Sequence, residues 1–195
     1  MSVIWAMCAF ALTMSITPGP VNVIALSSGV NHGFFRTFPF VSGATIGFTV
    51  LLYLLGAGVL ELMMQFPVVM QVLGYAGTLF LLYMAFSIVR AKGVVEGERT
   101  APCPKFWQGW ILQWLNPKAW IACMSGITAF VSRAEVGSLL FFCMIYFFLC
   151  YVGVGFWAVL GAKTQKLLRT SQQMQILNWI MGTALACVAL YLLVI

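Results

Sequence analysis

The stretch that decides the fold is residues 12–22, LTMSITPGPVN, in which Thr17-Pro18-Gly19-Pro20-Val21-Asn22 interrupts an apolar run. The first 35 residues of the chain carry no Lys, Arg, Asp or Glu. About 20 apolar residues are enough to cross the hydrocarbon core of a bilayer. Proline removes a backbone donor from a helix and kinks or breaks it. The sequence therefore predicts a membrane-spanning helix that is broken near its middle.

The rest of the chain has the same apolar character. Of its 195 residues 63% are hydrophobic and 7% are charged, and the mean hydropathy is +1.02. Soluble domains carry about 25% charged residues, so a soluble enzyme, a nucleic-acid binder and a disordered chain are excluded. The charge-free runs predict an all-α polytopic membrane protein with six transmembrane helices, at roughly 3–28, 38–60, 67–89, 107–131, 137–161 and 174–194.

Few residues are available for chemistry. The chain has no Asp and a single histidine, and its acidic residues are Glu61, Glu96, Glu98 and Glu135. A paired-carboxylate hydrolase, a Ser-His-Asp triad and a multi-histidine metal site all lack parts. No glycine-rich phosphate loop occurs either. We therefore expect no enzymatic activity, no metal and no cofactor, and we look for function inside the membrane.

The basic residues predict the orientation. Eight of them fall in the segments after helices 1, 3 and 5: Arg36, Arg90, Lys92, Arg99, Lys105, Lys163, Lys166 and Arg169. The opposite side has only Arg133. The positive-inside rule then places these segments in the cytoplasm, so both termini face outward. Helix 1 lacks the basic start and the cleavage site of a signal peptide, so we expect it to be retained.

Six helices divide into three plus three. We interpret residues 1–195 as one transmembrane domain, with a first half at 1–90, a cytoplasmic loop at 91–105 and a second half at 106–195. Three helices per half give the halves opposite polarity, which is typical of an inverted repeat. Helix 4 is also interrupted, at Leu115-Asn116-Pro117-Lys118. Each half thus opens with a broken helix. We expect Pro39, by contrast, to lie at the end of a helix and not to break one.

A broken helix presents bare peptide groups. Pro18, Pro20 and Pro117 leave carbonyls without donors, and we expect the amides after each break to be free. Helix starts attract anions and helix ends attract cations, so two breaks could hold an amino-acid zwitterion. The alternative is a pair of kinks patched by neighbouring helices and water. The candidate substrate-binding residues are Pro18, Gly19, Pro20, Asn22, Gln113, Asn116, Pro117 and Lys118.

Lys118 is the most informative single residue. It comes 13 residues after Lys105, which places it roughly 20 Å along the helix. A charge at such depth costs on the order of 3 kcal/mol. Lys118 therefore either binds substrate or protons during transport, or it ties down freed carbonyls in a structural role.

Small residues recur at helical spacing. They favour close helix packing, and a sliding gate could use the same smooth faces. The candidate packing or gating positions are Gly29, Gly33, Gly43 and Gly47.

These motifs resemble the LysE/RhtB family of bacterial amino-acid exporters. The similarity rests on residues 17–22, on residues 25–34, on Gly43 and Gly47, and on the stretch from Phe106-Trp107 to Asn116-Pro117-Lys118-Ala119. It implies an inner-membrane secondary transporter that exports amino acids or their derivatives by proton-driven alternating access. We expect protons and a small-molecule amino acid as partners, no nucleic acid, and a lipid bilayer around the chain; a homo-oligomer is left open.

Two positions depart from the family pattern. Val21 stands where the family usually has Asn, and Phe48 stands where many members have Asp. The absence of a buried acid favours neutral substrates, such as homoserine and threonine or cysteine and O-acetylserine. The cysteine/O-acetylserine exporters are the most similar subgroup. Lys118 or the substrate itself is then the group that titrates.

Two other interpretations remain. Cys8 in helix 1 and Cys123 in helix 4 could serve a transmembrane thiol–disulfide electron carrier. The chain could also be an accessory subunit without transport activity of its own.

Overall fold

The computed structural model describes residues 2–59, 67–91, 103–132, 136–167 and 170–194. Every regular element in these ranges is a helix. Lys92, Arg99, Arg133 and Arg169, on which part of the predicted orientation rests, lie outside the described residues, as do all four glutamates.

The described chain forms eight α-helices. They are α1 (Ser2–Ile16), α2 (Pro20–His32), α3 (Phe34–Leu54), α4 (Pro67–Arg90), α5 (Phe106–Trp114), α6 (Pro117–Phe130), α7 (Val136–Leu167) and α8 (Ser171–Val194). A π-helical turn, Leu55–Val59, continues α3. The predicted breaks are confirmed, because α1 and α2 meet at a 60° bend and α5 ends before Pro117 begins α6.

Three described helices are long and apolar enough to cross a membrane, Phe34–Val59, Gly137–Gln165 and Ser171–Tyr191. The bent pair of α1 and α2 is a fourth candidate span, and Gly74–Arg90 is a shorter apolar helix. The predicted all-helical membrane fold is therefore confirmed in its class. The count of six spans and the inverted repeat stay predictions.

The junction between α2 and α3 differs from its prediction. The two helices are separated by Gly33 alone, which has a φ of 79°. Only glycine adopts that backbone region readily, so the chain turns at one residue. As a result α3 begins at Phe34, and Arg36 lies in its first turn instead of in a loop. Pro39, which we expected at a helix end, lies inside α3.

Helix α7 is the centre of the bundle. It packs against α1, α2 and α3, while α5 packs on α3 and α4 packs on α8. Its side chains Phe142 and Tyr146 are almost fully buried, as are Phe40 and Leu51 of α3. Many large apolar side chains are exposed at the periphery, and an extensive apolar surface marks contact with lipid or protein.

Glycines set the closest helix contacts. A Cβ added at Gly29 of α2 or at Gly161 of α7 would overlap a backbone carbonyl of the other helix. Gly43 of α3 and Gly109 of α5 stand in the same relation. Gly47 also faces the backbone of α5. These positions therefore let pairs of helices approach to backbone contact.

Gly33 does not belong with these packing glycines. A Cβ there would meet no heavy atom within 4 Å. Gly33 is needed for its turn conformation, and the expectation that it packs between helices is corrected.

A buried amide pair joins α2 to α8. Asn31 and Asn178 donate to each other's side-chain oxygens at 2.9 and 3.0 Å. The Asn178 amide also donates to the carbonyl of Ala91, just after α4, at 2.9 Å. Asn178 is fully buried. These bonds fix the end of α4 and the start of α8 against α2.

Candidate functional site

The break between α1 and α2, which together correspond to the predicted helix 1, has the local geometry that its residues predict. The last backbone bond before the break runs from the Thr17 N–H to the Thr13 carbonyl at 3.0 Å. Gly19 is the extended residue before α2, and Pro20 is its first helical residue. The first bond of α2 runs from Val23 to the Gly19 carbonyl at 3.0 Å. Pro20 suits this position because its missing N–H would have no partner there.

The carbonyls at the end of α1 are satisfied by side chains from elsewhere. The Asn22 amide donates to the carbonyls of Ser15 and Thr17 at 2.9 and 2.8 Å. The Trp157 indole N–H, from α7, donates to the Ile16 carbonyl at 2.9 Å. Asn22, which lies just after the break, and Trp157 of α7 thus supply hydrogen-bond donors to the last carbonyls of α1 and to that of Thr17.

Lys118 reaches the same carbonyls from the second broken helix. Its ammonium donates to the Thr17 carbonyl and, at 3.5 Å, to the Pro18 carbonyl. Its side chain runs past Gly19, where an added Cβ would come within 2.9 Å of the Lys118 Cδ. All four glutamates lie outside the described residues. Within the described residues, the partners of this cation are therefore backbone carbonyl oxygens.

At the break between α5 and α6, the start of α6 is capped by a side chain, whereas the start of α2 is not. Asn116 precedes α6, and its side-chain oxygen accepts from the Lys118 N–H at 3.2 Å. The Asn116 carbonyl accepts from Ala119 at 2.9 Å. The expectation that the amides after Pro117 are free is therefore wrong, because asparagine supplies both its side-chain and its backbone oxygen. Gly19 has no side chain, and α2 has no side-chain cap.

A cavity of about 40 Å³ lies between the two breaks. Five of the predicted binding residues line it: Gly19, Asn22, Gln113, Asn116 and Lys118. Pro18, Pro20 and Pro117 do not line it. The prolines instead act through the backbone, because Pro20 and Pro117 begin α2 and α6 and the Pro18 carbonyl binds Lys118.

Two buried amide side chains line this cavity. Asn22 donates its NH2 group to two backbone carbonyls, and Gln113 donates its own to the Ala44 carbonyl at 3.0 Å. These bonds fix each amide so that its oxygen is the group left for the cavity. Asn22 is 3% exposed and Gln113 is 4% exposed. The cavity therefore combines one cation with neutral acceptors that could bind a second cation.

Sequence reasoning missed the far wall of the cavity. Phe48, Tyr146, Cys150 and Ser15 line it, and Trp157 bridges the break behind it. Only Phe48 had a signal in the sequence, as a departure from the family pattern after Gly47. The other residues lie on α1 and α7 without a motif, and only the packing of α7 brings them to the cavity.

The cysteines proposed for a thiol carrier are not part of this cavity. Cys8 is half-buried on α1, Cys123 is fully buried on α6, and both are free thiols. The cysteine that lines the cavity is Cys150. No group of three or more potential metal ligands occurs among the described residues. The described site thus offers a cation, amides and hydroxyls for binding.

A helical membrane bundle with a polar cavity at a broken span has the architecture of a transport protein. The sequence comparisons agree with this class. The profile of the LysE type translocator family matches residues 12–195, and the chain belongs to that family.

Several curated relatives carry the same description, cysteine/O-acetylserine efflux protein. That of Escherichia coli O157:H7 is 27% identical over 167 residues, which cover 84% of this chain and 85% of the relative. Those of Escherichia coli O1:K1 and of strain K12 are 28% identical over 170 residues, with the same coverage. No solved structure gives a significant match.

Proposed function

We propose that the chain is an inner-membrane secondary transporter that exports small neutral amino acids or their derivatives. The observation that carries this proposal is the contact of the Lys118 ammonium with the Thr17 and Pro18 carbonyls across the cavity. It joins the two broken helices at a site with one positive charge. The family and the efflux relatives support export, and cysteine, O-acetylserine, homoserine and threonine are the substrates to test first.

The carboxylate of the substrate is assigned to Lys118 and the start of α2. The amides of Val21 and Asn22 precede the first backbone bond of α2, and both residues line the cavity. An uncapped helix start favours an anion. A substrate carboxylate there would also draw the Lys118 ammonium away from the Thr17 carbonyl.

The ammonium of the substrate is assigned to the neutral oxygens. Asn22 and Gln113 line the cavity, and their side-chain oxygens are its neutral acceptors; the Thr17 and Pro18 carbonyls become available once Lys118 moves. The Lys118 ammonium contacts the same Thr17 and Pro18 carbonyls that are assigned to the substrate ammonium. Binding therefore exchanges one cation for another, and neither charge has to be buried without a partner.

We infer alternating access driven by the proton gradient, with Lys118 or the substrate as the titrating group. The positive-inside pattern supports six spans in two inverted halves with both termini in the periplasm. Two reporters fused after Ile195 test this topology, one active only in the periplasm and one active only in the cytoplasm. The periplasmic reporter should be active, and activity of the cytoplasmic reporter alone would contradict the topology.

The experiment that tests the function uses the full chain in liposomes loaded with radiolabelled amino acid. Wild type should release cysteine, O-acetylserine, homoserine or threonine faster than protein-free liposomes do. Lys118→Met should abolish release, because the carboxylate loses its cation. Lys163→Met is the matched control, since Lys163 is exposed near the end of α7 and should not be needed. Wild-type rates in Lys118→Met would refute the site.

Proton coupling is measured separately. Release against a concentration gradient should need an imposed pH gradient and should stop when a protonophore is added. Exchange of labelled for unlabelled substrate should persist without the gradient, because it needs binding and access alone. Uphill release that is insensitive to the protonophore would remove the proton from the mechanism.

A further inference from the structure

The cavity has a second wall that the assignment of carboxylate and ammonium does not use. It is formed by Ser15 of α1, Phe48 of α3, and Tyr146 and Cys150 of α7. Each of these residues is at most 7% exposed. We call this set the inner wall. Its four side chains carry no formal charge, whereas Lys118, which also lines the cavity, is a cation.

The inner wall has a fixed shape. The rings of Phe48 and Tyr146 are stacked, with centroids 4.3 Å apart and an interplanar angle of 28°. The Tyr146 ring also meets Phe142 edge-on, at 5.7 Å between centroids. Stacked and edge-on ring pairs hold one another in place within a packed core. The wall therefore limits the length of any group that enters between it and Lys118.

The inner wall also carries an unused polar group. The Ser15 hydroxyl is buried and forms no well-aligned hydrogen bond with the residues that the structure describes, although the polar ends of Tyr146 and Cys150 lie beside it. Buried hydroxyls are nearly always hydrogen-bonded, so one that is not calls for an explanation. Because Ser15 lines the cavity, a ligand that fills the cavity can reach this hydroxyl.

The size of the cavity restricts the ligand further. Its volume is about 40 Å³, and one water needs about 10–15 Å³ by this measure. The cavity therefore has room for a few heavy atoms of a ligand. Movement of Lys118 would make space for the others. A side chain as long as that of norleucine or O-acetylserine would have to displace the stacked rings, so cysteine, threonine and homoserine fit better among the candidate substrates.

We propose that the inner wall is the subsite for the side chain of the transported amino acid. It selects short, uncharged side chains that end in a hydrogen-bonding group, a hydroxyl or a thiol, and the Ser15 hydroxyl makes that hydrogen bond. Phe48 sets the length limit. This inference rests on the proposed function, because it assumes that an amino acid binds in the cavity.

The test compares two substrates that differ only at the selected group. L-cysteine and L-2-aminobutyrate have nearly the same shape, but 2-aminobutyrate has a methyl group in place of the thiol. L-serine and L-alanine form a second pair. Apparent affinities are measured in liposomes by competition with labelled substrate. Wild type should prefer cysteine and serine over their partners.

Ser15→Ala should reduce this preference about tenfold, which corresponds to about 1.4 kcal/mol, by weakening cysteine and serine alone. Ser27→Ala is the matched control, because Ser27 is equally buried on α2 and lines a different pocket. It should leave the preference unchanged. An unchanged preference in Ser15→Ala, or an equal loss for both members of each pair, would overturn the subsite.

A second variant tests the wall by gain of function and covers the case in which Ser15→Ala does not fold. Phe48→Ala should admit norleucine, which wild type should exclude. Exclusion of norleucine by a folded Phe48→Ala protein would count against the subsite. If wild-type liposomes transport no amino acid at all, the proposed function fails first. Transport without discrimination between cysteine and 2-aminobutyrate refutes the subsite alone.

Discussion

The Thr17 carbonyl should couple the effects of two substitutions on stability, because it accepts from both Asn22 and Lys118. Asn22→Leu keeps the side-chain size and removes two hydrogen bonds of 2.8 and 2.9 Å. At about 1 kcal/mol per bond the free energy of unfolding should fall by about 2 kcal/mol. For a chain of this size that corresponds to about 4–8 °C in melting temperature.

Lys118→Met acts in two opposite directions on the same free energy. It removes donors from the carbonyls of Thr17 and Pro18, and it also removes a charge that costs on the order of 3 kcal/mol to place in the membrane. We expect its melting temperature to be equal to or above that of wild type, although transport is lost. In the double variant the Thr17 carbonyl has neither donor, so the loss should exceed the sum of the single effects by about 1 kcal/mol or more.

The assay is thermal unfolding of the four proteins in detergent, followed by tryptophan fluorescence. Asn31→Leu provides the matched control. Asn31 is on the same helix, about 13 Å along α2 from Asn22, and it also donates to a backbone carbonyl, that of Ser27 at 2.8 Å. Combined with Lys118→Met it should be additive. Additivity within about 0.5 kcal/mol for the Asn22 pair would refute the shared carbonyl.

Three further outcomes are expected. Gly29→Leu should prevent folding, because its side chain would overlap the backbone of α7. Gly155→Ala should be tolerated, because no heavy atom lies within 4 Å of its added Cβ. The yield of monodisperse protein in detergent measures both effects. Trp157→Phe should lower the free energy of unfolding by about 1 kcal/mol through the lost bond to the Ile16 carbonyl, and an unchanged melting temperature would contradict this. Asn178→Leu should destabilise the protein by about 2–3 kcal/mol, because it removes a fully buried amide with two acceptors, and a more stable variant would show that the amide pair is dispensable.

The positions of the two breaks could be predicted because proline, glycine and asparagine act locally. Pro20 and Pro117 each occupy the first position of a helix, and Gly19 and Asn116 precede them. These preferences depend on a few neighbouring residues and not on tertiary contacts. For the same reason the sequence indicated five of the residues that line the cavity.

The partners of the breaks could not be predicted, since they come from distant parts of the chain. Trp157 reaches Ile16 across 141 residues, and Lys118 reaches Thr17 across 101. Apolar periodicity says little about which face of α7 meets which neighbour, because α7 is apolar on its exposed face as well as on its buried face. The Ser15 hydroxyl and the Tyr146 ring could therefore be assigned to the cavity only from the structure.

Two errors of the sequence reading have local causes. The sequence predicts free amides after the break at Pro117, yet the side-chain and backbone oxygens of Asn116 accept from the amides of Lys118 and Ala119. The spacing of Gly33 predicts a packing position, but its positive φ shows that the turn needs it. Spacing alone does not separate these two uses of glycine.

The length of α7 has a mechanical consequence. Its 32 residues extend about 48 Å, well beyond a hydrocarbon core of about 30 Å. This one rigid rod carries Tyr146 and Cys150 in its middle and Gly161 near its end, where it touches α2. A pivot of about 10° around its centre would shift each end by about 4 Å while barely moving the middle. In the alternating access proposed above, such a pivot of α7 would close the cavity at one membrane face and open it at the other in a single motion.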